Sequence, residues 1–98
     1  MEVSFTAEDG SRERAHTRNI GVGGAFVVTS RPVAPGSPIT LSLHIPTASH
    51  PLEIQGEVRW NSGPREETPG MGIRFDSLEV EALLQLNEYF ASLTGKED

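Results

Sequence analysis

Asn19-Ile20-Gly21-Val22-Gly23-Gly24-Ala25-Phe26-Val27-Val28 runs a polar residue and three glycines straight into a β-rich segment. Gly21, Gly23 and Gly24 carry no Cβ and accept positive φ at no steric cost. The stretch therefore predicts a tight reversal that opens a strand, with N–H groups turned toward an anion or another backbone. At least one of the three glycines is expected at positive φ.

Working outward, Val3, Phe5 and Ala7 fall on one face of a period-two pattern and predict a strand at about 2–7, closed by the turn residues Glu8-Asp9-Gly10. A polar strand follows at about 12–18, with Arg12, Arg14, His16 and Arg18 on one solvated face. Beyond the glycines, a strand at about 24–30 stops before Pro32, Pro35 and Gly36. Ile39, Leu41 and Leu43 alternate with polar residues and give a half-buried strand at about 38–45. Pro46 to Pro51 reads as a hairpin-like loop. In the next strand, about 51–61, Leu52, Ile54, Gly56, Val58 and Trp60 share one face, so Trp60 is expected to be partly buried with Phe26 and Phe75. Asn61 to Pro69 has the composition of a surface loop. The sixth strand, about 70–75, holds Met71, Ile73 and Phe75 in alternation, with Gly72 admitting close approach of a neighbouring strand.

The period then changes. Asp76-Ser77-Leu78-Glu79 has the form of a capping box, and Val80, Leu83, Leu86, Phe90 and Leu93 follow helical spacing up to Gly95, which predicts a helix over about 77–94. Six short strands followed by one helix imply an all-β fold with a C-terminal helix, a small antiparallel barrel or sandwich that the helix closes or flanks.

The composition narrows the function classes. Ninety-eight residues support one small domain, taken as 1–98. A net charge of -6 argues against coating DNA or RNA, which requires a basic surface. Arg12, Arg14 and Arg18 lie within seven residues and leave room for a small phosphate ligand. The chain has no cysteine, and His16, His44 and His50 lack ligand spacing, so no metal is expected. The absence of a bilayer-length apolar run or a secretory leader points to the cytoplasm without membrane insertion. Glu53, Glu57, Glu66, Glu67 and the histidines form no nucleophile, base and orienter set, so the chain is not expected to be an enzyme.

Three segments together resemble the PilZ domain family: Asn19 to Val27, Glu57-Val58-Arg59-Trp60, and Gly70-Met71-Gly72-Ile73-Arg74-Phe75 leading into a helix. Asn19 and Gly24 are in register with that family's (Asp/Asn)-x-Ser-x-x-Gly signature, and Gly21 stands in place of Ser. The resemblance implies a six-stranded antiparallel β-barrel with a C-terminal helix, found in non-enzymatic bacterial cytoplasmic proteins that respond to cyclic di-GMP. It also implies an Arg-x-x-x-Arg motif before the first strand that grips phosphate and guanine, by bidentate bonding and stacking. Here no arginine precedes the first strand, and Arg14-Ala15-His16-Thr17-Arg18 spells the motif inside the second. A neutral hydrogen bond is worth about 0.5–1.5 kcal/mol and one to a charged group about 1.5–3, so the displaced arginines weigh more than the missing serine hydroxyl.

The resemblance thus points to a degenerate member that acts as an adaptor or regulator in motility, surface behaviour or signalling. It would act through a protein partner or fused domain, with nucleotide binding weak or lost. The alternative is a cyclic di-GMP-binding effector with an upstream arginine segment or an altered grip. The candidate ligand residues are Asn19, Gly21, Gly24, Arg14 and Arg18. On the helix, Leu84, Tyr89 and Ala91 extend beyond the Leu83-Leu86-Phe90-Leu93 face, and Leu84 and Tyr89 are candidates for partner contact or homo-oligomer formation.

Overall fold

The computed structural model describes residues 1–62 and 68–94. Six antiparallel strands, β1 (Glu2–Thr6), β2 (Arg12–Arg18), β3 (Gly24–Val28), β4 (Pro38–His44), β5 (Leu52–Asn61) and β6 (Gly70–Phe75), precede one helix, α1 (Val80–Thr94). The strands close into a barrel in the order β1-β2-β3-β6-β5-β4. Closure leaves no edge strand among the described residues.

Alternation builds the core. Val3 and Phe5 of β1, Val27 of β3, Leu41 and Leu43 of β4, Val58 of β5 and Met71 of β6 point inward and lose all contact with solvent. Outward positions are polar, and on one wall they interlock. Arg12 Nη2 donates to Ser4 Oγ at 3.1 Å and Ser42 Oγ at 2.8 Å, so the guanidinium lies over two outward serines and buries them. Arg12 is therefore a covering side chain on the solvated face of β2.

Strands β2, β4 and β6 all run toward the same end of the barrel, so the loops at 19–23 and 45–51 and the exit into α1 gather there. Leu86 is the plug at this end, 0% exposed and part of the core cluster, against which Ile20, Ala48, Tyr89 and Phe90 pack half-buried.

The helix starts at Val80, later than the expected 77. Asp76 N–H donates to Gln55 O at 2.9 Å, which carries the β5–β6 ladder one residue past Phe75 and holds Asp76 on the barrel wall. Glu79 O accepts the first helical bond, from Leu83 N–H at 3.0 Å, so Glu79 occupies the cap position. Strands β1, β3 and β4 end earlier than expected, at Thr6, Val28 and His44, and β5 begins at Leu52. Most of the loop expected at 61–69, and the terminator Gly95, lie outside the described residues.

Trp60 overturns the alternation reading. Val58 pairs with Ile73 and Trp60 with Gly72, so two residues of β5 face one step of β6, and Arg59 is the extra residue of a bulge. The bulge reverses the phase, and Trp60 emerges on the outer surface, 52% exposed. Phe26 also faces outward, half-buried, while Phe75 stays in the core.

Candidate functional site

The loop after β2 makes the expected reversal by a different residue. The left-handed conformation falls on Asn19, at φ 54°, while Gly21, Gly23 and Gly24 all lie outside that region. Asparagine is one of the few side chains that accept it, because its short amide bonds locally. Gly21 N–H donates to Gly24 O at 2.9 Å, and Phe75 N–H donates to Gly23 O at 2.9 Å, so the loop is pinned to its own hairpin and to the end of β6.

Gly24 is needed for close approach. A Cβ there would sit 3.3 Å from the carbonyl carbon of Ile73 and far inside contact distance of its oxygen, whereas Gly21 and Gly23 face open space. This brings β3 onto β6 and aligns one outer row across four strands. Arg18 of β2 is opposite Phe26 of β3, Phe26 is opposite Gly72 of β6, and Gly72 is opposite Trp60 of β5.

Glycines in β6 make room for the rings. A Cβ on Gly72 would be 2.9 Å from Trp60 Cδ1 and closer still to Nε1, and one on Gly70 would be 2.7 Å from Phe26 Cζ. Gly72 thus admits an indole where a neighbouring strand was expected. With these gaps filled, Phe26 and Trp60 stack at a centroid distance of 5.3 Å and an interplanar angle of 26°. Beside the rings lies a shallow pocket of about 350 Å³, lined by Asn19, Gly24, Phe26, Arg59, Trp60 and Arg74 among others.

Two guanidiniums of the pocket share one carboxylate. Arg59 Nη1 donates to Glu57 Oε1 at 3.2 Å, and Arg74 Nη2 reaches the same oxygen at 3.5 Å. All three side chains are substantially exposed, and such pairs are worth roughly 0–1 kcal/mol, so an incoming anion competes with Glu57 at little cost. The pocket offers an aromatic face for a planar ring and cations for an anion.

Of the candidate ligand residues, Asn19 and Gly24 line this pocket. Gly21 does not; it faces open space and serves the turn. Arg18 adjoins Phe26 in register, but its Nη1 donates to Thr68 Oγ1 at 3.3 Å. Arg14 is ion-paired with Glu2 on the β1–β2 wall and does not reach the pocket. Phe26, Arg59, Trp60 and Arg74 were missed as site residues because strict alternation assigns Trp60 to the interior.

The helix separates its two candidates. Leu84 projects outward, 59% exposed, beside Val80 at 73%. Tyr89 turns toward the barrel and sits 5.9 Å from the Phe90 ring at 54°. Leu84 and Tyr89 therefore belong to different faces.

At the opposite end of the barrel, the Ser11 hydroxyl and N–H, then the Arg31 guanidinium, hold the Asp9 carboxyl well below the usual carboxylate range. Arg31 also bonds Glu13 at 2.9 Å, so this network staples the β1–β2 turn to the β3–β4 connection. Among the described residues, no cluster of three or more His, Asp or Glu is placed to hold a metal, and no helix is long and apolar enough to cross a membrane.

No curated protein matches the chain. Among solved structures it is similar to the Bacillus subtilis inhibitor of motility MotI/DgrA, with a TM-score of 0.74 and 20% identity over 99% of this chain. The chain spans about half of that protein, covering 48% of it, and at this identity the likeness is one of fold. The PilZ domain family model matches residues 1–92, which include the barrel, the Asn19 loop and nearly all of α1, and the chain belongs to the PilZ domain family.

Proposed function

We propose that this chain is a non-enzymatic regulatory module of the cyclic di-GMP signalling class that acts in the cytoplasm through protein contacts, with a weak grip of its own on the nucleotide. The observation that carries this reading is the position of the arginines. Arg14 pairs with Glu2 on the β1–β2 wall and Arg18 bonds Thr68, so among the described arginines Arg59 and Arg74 are the ones that line the Asn19 pocket, both paired with Glu57. A dinucleotide with two phosphates needs fixed cations, and these two are exposed and held only by weak surface pairs with Glu57. The exposed Val80 and Leu84 of α1 supply an output surface. That MotI/DgrA is an inhibitor of motility supports control of motility as the class of output.

The Phe26–Trp60 stack favours a second reading, in which the pocket binds cyclic di-GMP by an altered grip, with a guanine on the indole and phosphate on Arg59 and Arg74. Calorimetric titration of cyclic di-GMP into the purified chain separates the two. The first reading expects a Kd weaker than about 100 μM, that is, less than roughly 5.5 kcal/mol of binding free energy. Micromolar binding abolished by Trp60→Ala or Arg59→Ala would establish the second reading. Micromolar binding abolished by Arg14→Ala would overturn both placements of the site.

A further inference from the structure

The outer face of α1 and the notch at its start are unused by the barrel and by the Asn19 pocket. At about 100° per residue, Val80, Leu83, Leu84 and Asn87 fall on one side of the helix, opposite Ala82 and Leu86, which face the core. Three of the four are apolar and exposed. Acidic residues border the stripe, Glu81 and Glu88 along one edge and Glu79 along the other, and residues 76–94 contain no lysine or arginine.

Glu79 also opens onto a second cavity of about 360 Å³, between the outer β4–β5 wall and the entry to α1. Its lining includes Glu53, Asp76 and Glu79 with the polar Thr40 and Gln55, and Ile54, Leu78 and Ala82 are its apolar members. None of Glu53, Asp76, Glu79, Glu81 or Glu88 takes part in an ion pair among the described residues. The described arginines lie on the barrel strands or, for Arg31, in the β3–β4 connection, and none lies on α1. One end of the molecule thus joins an apolar stripe to a concave pocket whose carboxylates make no ion pair among the described residues.

We infer that this surface docks a basic amphipathic helix of a partner protein, with apolar side chains over Val80, Leu83 and Leu84 and a lysine or arginine in the Glu53–Asp76–Glu79 notch. The inference rests on the reading that output passes through α1, and it specifies the chemistry of the partner. Charge complementarity selects this occupant. Two copies of α1 packed face to face would bring their acidic borders together, a repulsive arrangement. A second copy offering its basic β2 face would present Arg12, Arg14, His16 and Arg18 and leave the leucines uncovered. A basic amphipathic helix meets both needs in a helix-to-helix groove contact.

The test is fluorescence anisotropy with three synthetic labelled peptides: a helix with leucines at i, i+3 and i+4 spacing and lysines elsewhere, the same peptide with glutamates for lysines, and a scramble of the lysine peptide that destroys its apolar stripe. The lysine helix is expected to bind at least about tenfold tighter than either control. Its affinity should fall about tenfold in Leu84→Ser and again in Glu79→Gln, and weaken with salt. Both substitutions lie on the exposed surface, and circular dichroism verifies that the variants keep their fold. Equal binding of the scramble would overturn the inference. Binding of the glutamate helix, lost in Leu84→Ser, would overturn the basic partner yet keep α1 as a contact surface. Binding of none of the peptides would overturn the partner class and remove the support for α1 as output. A concentration-dependent dimer in ultracentrifugation, abolished by Leu84→Ser, would assign the face to a second copy instead.

Discussion

Gly24→Ala should be among the most damaging single-methyl changes in the barrel, and its two neighbouring glycines provide internal controls. The added Cβ would lie 3.3 Å from the Ile73 carbonyl carbon, 3.4 Å from Arg74 Cα, and much closer to the Ile73 oxygen. Ordinary carbon-to-carbonyl-oxygen contacts are about 3.3–3.6 Å, so the shortfall at the oxygen is about 1 Å. Every atom in the way is backbone, and no rotamer change relieves the clash. The start of β3 must lift from β6, stretching the Gly24–Arg74 pairing and the bond from Phe75 N–H to Gly23 O. Overpacking costs about 1–3 kcal/mol and each weakened hydrogen bond about 1, which sets the expected loss near 3 kcal/mol. For a domain of this size that lowers Tm by roughly 12–24 °C. Gly21→Ala and Gly23→Ala meet open space outside the left-handed region, and each should leave stability unchanged or raise it by about 0.4–1 kcal/mol through the unfolded chain. Thermal melts followed by circular dichroism decide the matter. A Gly24→Ala protein within about 1 kcal/mol of the parent, or Gly21 and Gly23 variants as unstable as it, would refute the close-approach argument.

Trp60 fluorescence should be quenched strongly by a neutral quencher, as its exposure dictates, and Gly72→Ala should displace the indole from Phe26 and red-shift its emission; a blue, poorly quenched spectrum in the parent would contradict the bulge. Leu86→Ala should cost about 2–5 kcal/mol in urea unfolding because it removes the plug of the barrel end, whereas Leu84→Ala should stay within about 0.5; equal effects would mean α1 does not close the barrel as described. Asp9 has a depressed pKa, so its contribution is present above the ordinary carboxylate value of 3.8 and is lost as pH falls through and below it. Asp9→Asn should therefore be less stable than the parent near neutral pH, with the difference shrinking as the pH falls below that value; a constant difference down to strongly acidic pH would sink the assignment.

Most of the barrel was legible in the sequence because period-two alternation is the direct trace of strands with one buried face. Ile39, Leu41 and Leu43 of β4 and Ile54 and Val58 of β5 point inward as their spacing dictates. The same rule failed at Trp60, where one extra residue reversed the phase. Nothing in Val58-Arg59-Trp60 marks a bulge, since its cause lies on the partner strand, where Gly72 leaves room for an indole. The helix start was misplaced for a similar reason. Asp76 and Glu79 have the spacing of a capping box, but the bond from Asp76 N–H to Gln55 O holds the chain on the barrel until Glu79. At the Asn19 loop the reversal was legible and the residue bearing positive φ was not, because the glycine side of the loop is held by a bond within it, Gly21 N–H to Gly24 O, and by one from the distant Phe75 N–H to Gly23 O. Arg14 and Arg18 share a face with the spacing of a phosphate clamp, yet Glu2 and Thr68, distant in sequence, occupy them.

The placement of the pocket and the helix at one end of the barrel follows from strand parity, and two hydrogen bonds make the link specific. Phe75 N–H bonds Gly23 O in the Asn19 loop, and the very next N–H, of Asp76, bonds Gln55 O on β5. Consecutive residues thus tie the exit of β6 to the loop on one side and to the wall of the acidic notch on the other, four residues before α1 begins. Phe75 is itself buried in the core and cannot swing freely. A displacement of the Asn19 loop must therefore be absorbed either by the core around Phe75 or by the Asp76–Glu79 connection. The connection is the softer of the two, since its residues are exposed except for the half-buried Leu78. The connection leads into the start of α1, where Glu79 and Val80 border the proposed docking face. The stacked rings, by contrast, rest on Gly70 and Gly72 of β6, a strand laddered to β3 on one side and β5 on the other. Gly23, Phe75 and Asp76 thus form a short hydrogen-bonded path from the pocket loop to the helix entry.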